Sequence, residues 1–315
     1  MATELLQPHL VDIGGRRRLN FHCVGSGSPT IVFEQGGEGF LTNWARVQAA
    51  ASALTRTCFY DRAGFGYSDP PDGPVTALSV TDDLHALLQK AGVRGAVVIV
   101  GHSVGGFYAT MYADRFPRDV AGLVLLDPGF SGQQMSPTSD REQANIRRGE
   151  GDLVNCAALA RAGKLTEANL ASNRCVPLPQ DSTPQEARYI LRALTGPHWY
   201  EAEASQSVNY FTADDGPSVS HRQETEASHA FGDMPMIVLS DEIFPRDAWR
   251  SDAENREYQA HWLAGHQKLA ARSTRGRWAI APGSNHFIQK SNPQAVIDAI
   301  REVVQAVRAK NAAGH

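Results

Sequence analysis

Four cysteines in 315 residues are too few for a disulfide-built scaffold. None has metal-ligand spacing, so no structural zinc or other metal site is expected. Apolar runs long enough to cross a bilayer are absent. The N-terminus has no charged segment followed by an apolar one. No secretory signal is therefore expected, and the cytoplasm is the expected compartment. Cys23 and Cys58 lie in strand-like runs and read as small core hydrophobes. Cys156 and Cys175 bracket one polar, helical stretch. A disulfide is geometrically open to them, but in a cytosolic chain two free thiols are the expectation.

An excess of one charge is missing too. Lys and Arg number 30 and Asp and Glu 34, a net −4 with both signs dispersed. Phosphate binding needs a clustered basic face, so a nucleic-acid partner is not expected. Arg16-Arg17-Arg18 reads as a solvated turn between two early strands. A phosphate loop, a dinucleotide fingerprint, internal repeats and low-complexity tracts are all lacking, and no cofactor is expected. Hydrophobic residues make up 42% of the chain, which allows a sizeable core. The length suits one large domain, or a domain with an inserted cap.

The first half alternates strand and helix signals. Strands are expected at Leu10–Ile13, Leu19–Val24, Thr30–Glu34, Thr57–Tyr60, Ala96–Val100 and Gly122–Leu126, with helices near Asn43–Leu54, Val80–Ala91 and Ser103–Phe116. The later strands are continuous apolar runs, as a parallel sheet covered on both faces requires. Residues 128–232 carry no convincing parallel strand. They offer helix-like segments at Asp140–Gly149, Asp152–Gly163, Thr183–Thr195 and His198–Asn209. The α/β rhythm resumes with strand Met236–Ser240, a helix around Glu254–Ser273, strand Arg277–Ala281 and helix Pro293–Arg308. This predicts a core of residues 1–127 and 233–315, with 128–232 inserted as a helical lid.

The chemistry-bearing segment is Gly101-His102-Ser103-Val104-Gly105. It follows the apolar run Ala96–Val100 and precedes a proline-free helical stretch to Phe116. A sharp strand-to-helix turn pushes its serine out at the top of a sheet, and flanking glycines relieve the crowded backbone. A serine hydroxyl still needs a base aimed at it, so a partner must come from elsewhere in the chain.

Several segments resemble the α/β-hydrolase superfamily, in its serine esterase-like branch with a helical cap. Tyr60-Asp61-Arg62-Ala63-Gly64-Phe65-Gly66-Tyr67-Ser68-Asp69 looks like the loop after its fourth strand. Gly101–Gly106 resembles its nucleophile elbow, and Val124-Leu125-Leu126-Asp127-Pro128 the end of its sixth strand. Gly283-Ser284-Asn285-His286-Phe287 resembles the loop that delivers its histidine. The resemblance implies a mostly parallel eight-stranded sheet flanked by helices. It makes Ser103 the nucleophile and His286 the general base, in the order Ser, acid, His along the chain. Related epoxide hydrolases and dehalogenases carry aspartate at the elbow, so a serine points to acyl transfer.

The acid that orients His286 has two candidates. Most relatives place it a few residues past the seventh strand, where Ser240-Asp241-Glu242-Ile243-Phe244 lacks the usual spacing. Asp127, at the end of the sixth strand, is favoured over Asp241 because a triad is recognised by role. The oxyanion hole is expected from the backbone N–H groups of Val104 and Gly37, the latter in a Gln35-Gly36 context where many relatives have His-Gly. Asp61-Arg62 reads as a structural ion pair or hydrogen-bond anchor. His102 reads as structural, and His198, His229, His261 and His266 as cap or surface residues. Cap aromatics Phe130, Trp199, Tyr200, Tyr210, Phe211 and Phe231 read first as packing and together hint at an apolar substrate. The expected partner is a small or medium carboxylic ester. Amide, lactone or C–C bond hydrolysis, peracid chemistry and a hydrolase-like ligand receptor remain open, and oligomeric state is not indicated.

Overall fold

The inner strands form where the chain is mostly apolar. The computed structural model describes residues 2–37, 39–133, 139–212, 216–246 and 250–313. Eight strands build one sheet: β1 (Leu10–Gly14), β2 (Arg17–Val24), β3 (Ile31–Glu34), β4 (Thr57–Tyr60), β5 (Val97–His102), β6 (Val120–Leu126), β7 (Met236–Ser240) and β8 (Gly276–Ile280). Their order is β1-β2-β4-β3-β5-β6-β7-β8. β2 is antiparallel to both neighbours, and every later pairing is parallel. Strands β3, β4, β5 and β7 are buried along their whole length, and β6 at every residue but Ala121, which explains their largely apolar sequences.

Alternate residues serve opposite faces. Ile31, Phe33, Val98, Val100, Val124 and Leu126 join one core, and Val32, Ile99, Leu123 and Leu125 join the other. The helices are α1 (Ala45–Leu54), α2 (Ala77–Lys90), α3 (Val104–Arg115), α4 (Ser139–Arg161), α5 (Pro184–Leu194), α6 (Pro197–Tyr210), α7 (Val219–Ala227), α8 (Asp252–Ala270), α9 (Ile288–Ser291) and α10 (Pro293–Ala313). Val296, Ile300, Val303, Val304 and Val307 of α10 cover the first face, and Leu84, Leu87 and Leu88 of α2 cover the second.

Between β6 and β7 the described residues hold α4 to α7 and no strand. The two expected helices Asp140–Gly149 and Asp152–Gly163 are one continuous helix, α4. Each glycine in a helix interior costs about 1 kcal/mol. Here tertiary contact outweighs it: α4 packs along α6, and Glu150 accepts hydrogen bonds from Ser207 (2.9 Å) and Thr212 (2.7 Å). Helix α7 was not expected, because its sequence is mostly polar. Its inner face buries His221 and Glu224 against the core.

Two expectations about cysteine are corrected. Cys23 and Cys58 form a disulfide, and so do Cys156 and Cys175. The first pair faces across the β2–β4 ladder, a register that neither strand reveals alone. The second ties α4 to the segment after it, with Cα atoms 5.8 Å apart.

Candidate active site

The turn after β5 places Ser103 at φ 54°, ψ −128°, a left-handed conformation unusual for a residue with a Cβ. Several hydrogen bonds hold it there. Ser103 N–H donates to Leu126 O (3.0 Å), and Gly106 and Gly129 N–H donate to Ser103 O (each 2.9 Å). Close approach explains the glycines. A Cβ on Gly105 would stand 2.2 Å from Gln35 O, and one on Gly101 would stand 2.7 Å from Gly105 O. Val104 opens α3, so its N–H is among the first-turn donors without an intrahelical acceptor.

Asp127 and His286 meet across 159 residues of sequence, with His286 Nδ1 2.6 Å from Asp127 Oδ2. The other carboxylate oxygen of Asp127 accepts from Trp262 Nε1 (2.9 Å) and, more loosely, from Asp241 N (3.4 Å). Burial works to raise the Asp127 pKa. The hydrogen bond and charge of His286, with His266 and Trp262, outweigh it and hold the carboxyl below its ordinary value. Asp127 thus faces the ring of His286 as an anion.

Asp241 differs sharply. It is 2% exposed, and neither carboxyl oxygen has a hydrogen-bond partner. Burial and then the Asp127 charge push its pKa up to about 7.

His102 holds a specific group of the neighbouring loop. Its Nε2 lies 2.9 Å from the backbone O of His286, and the two rings are 4.8 Å apart. A carbonyl can only accept, so Nε2 carries the proton. Burial pushes the His102 pKa down to about 3, which keeps the ring neutral. The His286 loop is thereby fixed against the turn that carries Ser103.

His266 corrects its assignment to the cap or surface. It is fully buried beneath Asp127, with Nε2 2.8 Å from Pro128 O and Nδ1 2.6 Å from Ser240 Oγ. Trp262 and His266 share one face of α8, an i, i+4 spacing visible in the sequence, though its orientation toward β6 was not.

Asp61 and Arg62 do not anchor through each other. Asp61 accepts from Asn20 (2.8 Å), from Tyr67 N (3.0 Å) and from the hydroxyl of Tyr189 on α5. Arg62 pairs with Glu34 at 2.8 Å, and Tyr60 donates to the same carboxylate. The Arg62 guanidinium also donates to the carbonyls of Gln35 and Gly36, the latter at 2.7 Å. The expected oxyanion loop is thus clamped by its carbonyls to a buried cation. The aromatics Trp199, Tyr200 and Tyr210 are buried packing residues, and Phe130 packs against Trp262 and His266.

The chain matches the alpha/beta hydrolase family over residues 22–299. It belongs to that family. Among solved structures of the α/β-hydrolase fold, a thermophilic esterase from Thermogutta terrifontis is 22% identical, with TM-score 0.63, covering 96% of this chain and 99% of the other. A 2-(acetamidomethylene)succinate hydrolase of Mesorhizobium japonicum is 24% identical over 313 residues, 97% of this chain and 99% of that protein. A probable transporter of Hormonema carpetanum is 37% identical over 125 residues, 38% of this chain and 18% of that one. The chain spans 18% and 44% of the first two curated relatives it matches. Within the alpha/beta hydrolase family these relatives carry different names: an esterase, a hydrolase of a succinate derivative and a probable transporter.

A cavity of about 1130 Å³ in this α/β-hydrolase chain lies apart from these groups. It opens on the flank by α7 and α8, lined by Phe130, His221, His261, Lys268 and Arg272 among others. None of Ser103, Asp127, His286, Gly37 or Val104 lines it. Among the described residues no helix is long and apolar enough to cross a membrane.

Proposed function

We propose that this hydrolase cleaves small or medium carboxylic esters through an acyl-enzyme, with residues 128–232 as a cap over the site. The 2.6 Å contact of His286 Nδ1 with the Asp127 carboxylate carries this reading. It fixes the Nδ1–H tautomer and leaves Nε2 with a lone pair for the serine proton. Ser103 Oγ attacks the ester carbonyl as Nε2 takes its proton. The carbonyl oxygen becomes an oxyanion, and the backbone N–H groups of Gly37 and Val104 receive it. The imidazolium, stabilised by Asp127, returns the proton to the leaving alcohol. Water then repeats the sequence on the acyl-enzyme and frees the acid. The name of the Mesorhizobium relative, which covers almost the whole chain, supports amide cleavage as a second reading on the same groups.

Turnover of p-nitrophenyl esters and labelling by a fluorophosphonate probe test the proposal. One label on Ser103 is expected, and Ser103→Ala should lower kcat by about 10⁴-fold or more. Labelling elsewhere, or undiminished turnover by the variant, would remove Ser103 from the chemistry. A single stoichiometric burst without sustained turnover would favour a ligand receptor.

A further inference from the structure

The cavity of about 1130 Å³ separates α7, which packs on α2, α3 and α6, from α8, which packs on β7 and β8. Phe130, Ala264 and Leu269 form apolar parts of its wall, and α7 adds two polar side chains, His221 and Glu224. They stand about one turn apart on one face of that helix. His221 is 1% exposed and Glu224 2% exposed. Among the described residues neither ring nitrogen of His221 has a hydrogen-bond partner, and neither does Oε2 of Glu224. The other oxygen of Glu224 accepts from Arg272 at 3.1 Å, and Arg272 is also paired with Asp114. Ring contacts with Phe107 and Tyr210, at 5.0 and 4.9 Å, hold His221 in place.

Leaving buried polar atoms unpaired is costly, and folded chains keep few of them. Burial pushes the His221 pKa down to about 4, so its ring is neutral, with one nitrogen donating and the other accepting. The wall thus offers a donor from His221 and an acceptor from Glu224. Their complement is a group that accepts and donates at once. A primary carboxamide does both from one rigid plane, its C=O to the ring N–H and its own N–H to Oε2. A carboxylate has no donor and meets Glu224 as a like charge. An ammonium has no acceptor and meets Lys268 and Arg272, which line the same cavity. An apolar body on that head group would cover Phe130, Ala264 and Leu269.

We infer that the cavity between α7 and α8 is a second ligand site, which takes a neutral primary carboxamide carried on an apolar body. Ser103, Asp127 and His286 are not in its wall, so binding there does not draw on the serine-hydrolase reading.

Three probes of nearly equal shape test this by ligand-observed NMR titration: 3-phenylpropanamide, its methyl ketone analogue 4-phenyl-2-butanone, and 3-phenylpropanoate. Ser103→Ala serves as the host, so the chemistry proposed above consumes no probe. The amide should bind with a Kd of about 1 mM or tighter, the range open to ligands of its size. The ketone keeps the acceptor but lacks the donor, and should bind about ten-fold more weakly. The carboxylate should lose at least about ten-fold through its like charge. Glu224→Leu leaves Arg272 paired with Asp114 and should bring amide and ketone to within about two-fold of each other. His221→Phe should weaken both about ten-fold, and should raise the Tm of the ligand-free protein because the unpaired ring nitrogens are gone. Ala264→Trp, at an exposed position of the wall, should abolish binding of all three. The inference is overturned by no saturable binding of the amide, by equal affinities for the three probes, or by tightest binding of the carboxylate. It is equally overturned by an amide preference that survives Glu224→Leu, or by amide binding unchanged in His221→Phe or Ala264→Trp. Wild-type turnover of p-nitrophenyl esters is a separate readout: its absence removes the serine-hydrolase reading and leaves this site standing.

Discussion

Two carboxyl groups stand side by side at the ends of β6 and β7, and their surroundings differ. Asp127 accepts from His286 and Trp262, whereas the oxygens of Asp241 accept from nothing. Asp127→Asn should therefore lower turnover by about 10⁴-fold, because the amide favours the wrong imidazole tautomer. Asp241→Asn should stay within about ten-fold of wild type, and the reverse ranking in steady-state kinetics would exchange the two roles. Asp241 also predicts a pH effect on stability. Its carboxyl sits at about 7 in the folded chain, against an ordinary value of roughly 4 when unfolded. Between those limits the folded state keeps a proton that the unfolded state has released. Stability from this group is thus full below the unfolded value, falls as pH rises and levels off above 7. Asp241→Asn removes that loss, so its Tm relative to wild type should rise from pH 4 to pH 8. A gap independent of pH in scanning calorimetry would show that Asp241 does not titrate as its burial implies.

At the scale of elements, the loop after β3 depends on one side chain from the loop after β4. Arg62 is 4% exposed, pairs with Glu34, and holds the carbonyls of Gln35 and Gly36. Removing it strands a buried carboxylate, which typically costs about 3–5 kcal/mol. Arg62→Met should lower Tm accordingly. Adding Glu34→Gln should recover much of that stability, since the uncompensated charge is gone. Turnover should stay about 10²-fold down in both variants, because the donor loop is no longer held in place. Recovery of both stability and kcat in the double variant would mean that Gly37 is positioned without Arg62. These roles were only partly legible beforehand. Residues 61 and 62 adjoin in sequence, which suggested a mutual pair, yet adjacent residues on an extended segment project oppositely. One reaches Asn20 and Tyr189, and the other reaches Glu34 and Gln206.

The whole molecule closes two long covalent loops, Cys23–Cys58 and Cys156–Cys175. Cytosolic thiols are normally kept reduced, so the redox state of these two pairs is a direct measurement to make. Protein purified without reductant should show no titratable thiol in denaturant, and thiols should appear only after reduction. Four reactive thiols before reduction would instead favour the cytosolic expectation.

Local pattern alone determined the parallel strands, the Ser103 turn and the late arrival of His286. Continuous apolar runs, glycines around a serine, and a loop after the last strand are properties of short segments. Contacts between distant segments belonged to the tertiary structure. The union of α4 across Gly149 and Gly151, the burial of His266 beneath Asp127, and the pairing of Cys23 with Cys58 all depend on what another element places opposite. The surroundings of Asp127 and Asp241 were of the same kind. Both carry the same carboxyl, and only the packing of α8 and the His286 loop gives one of them hydrogen-bond donors and leaves the other with none.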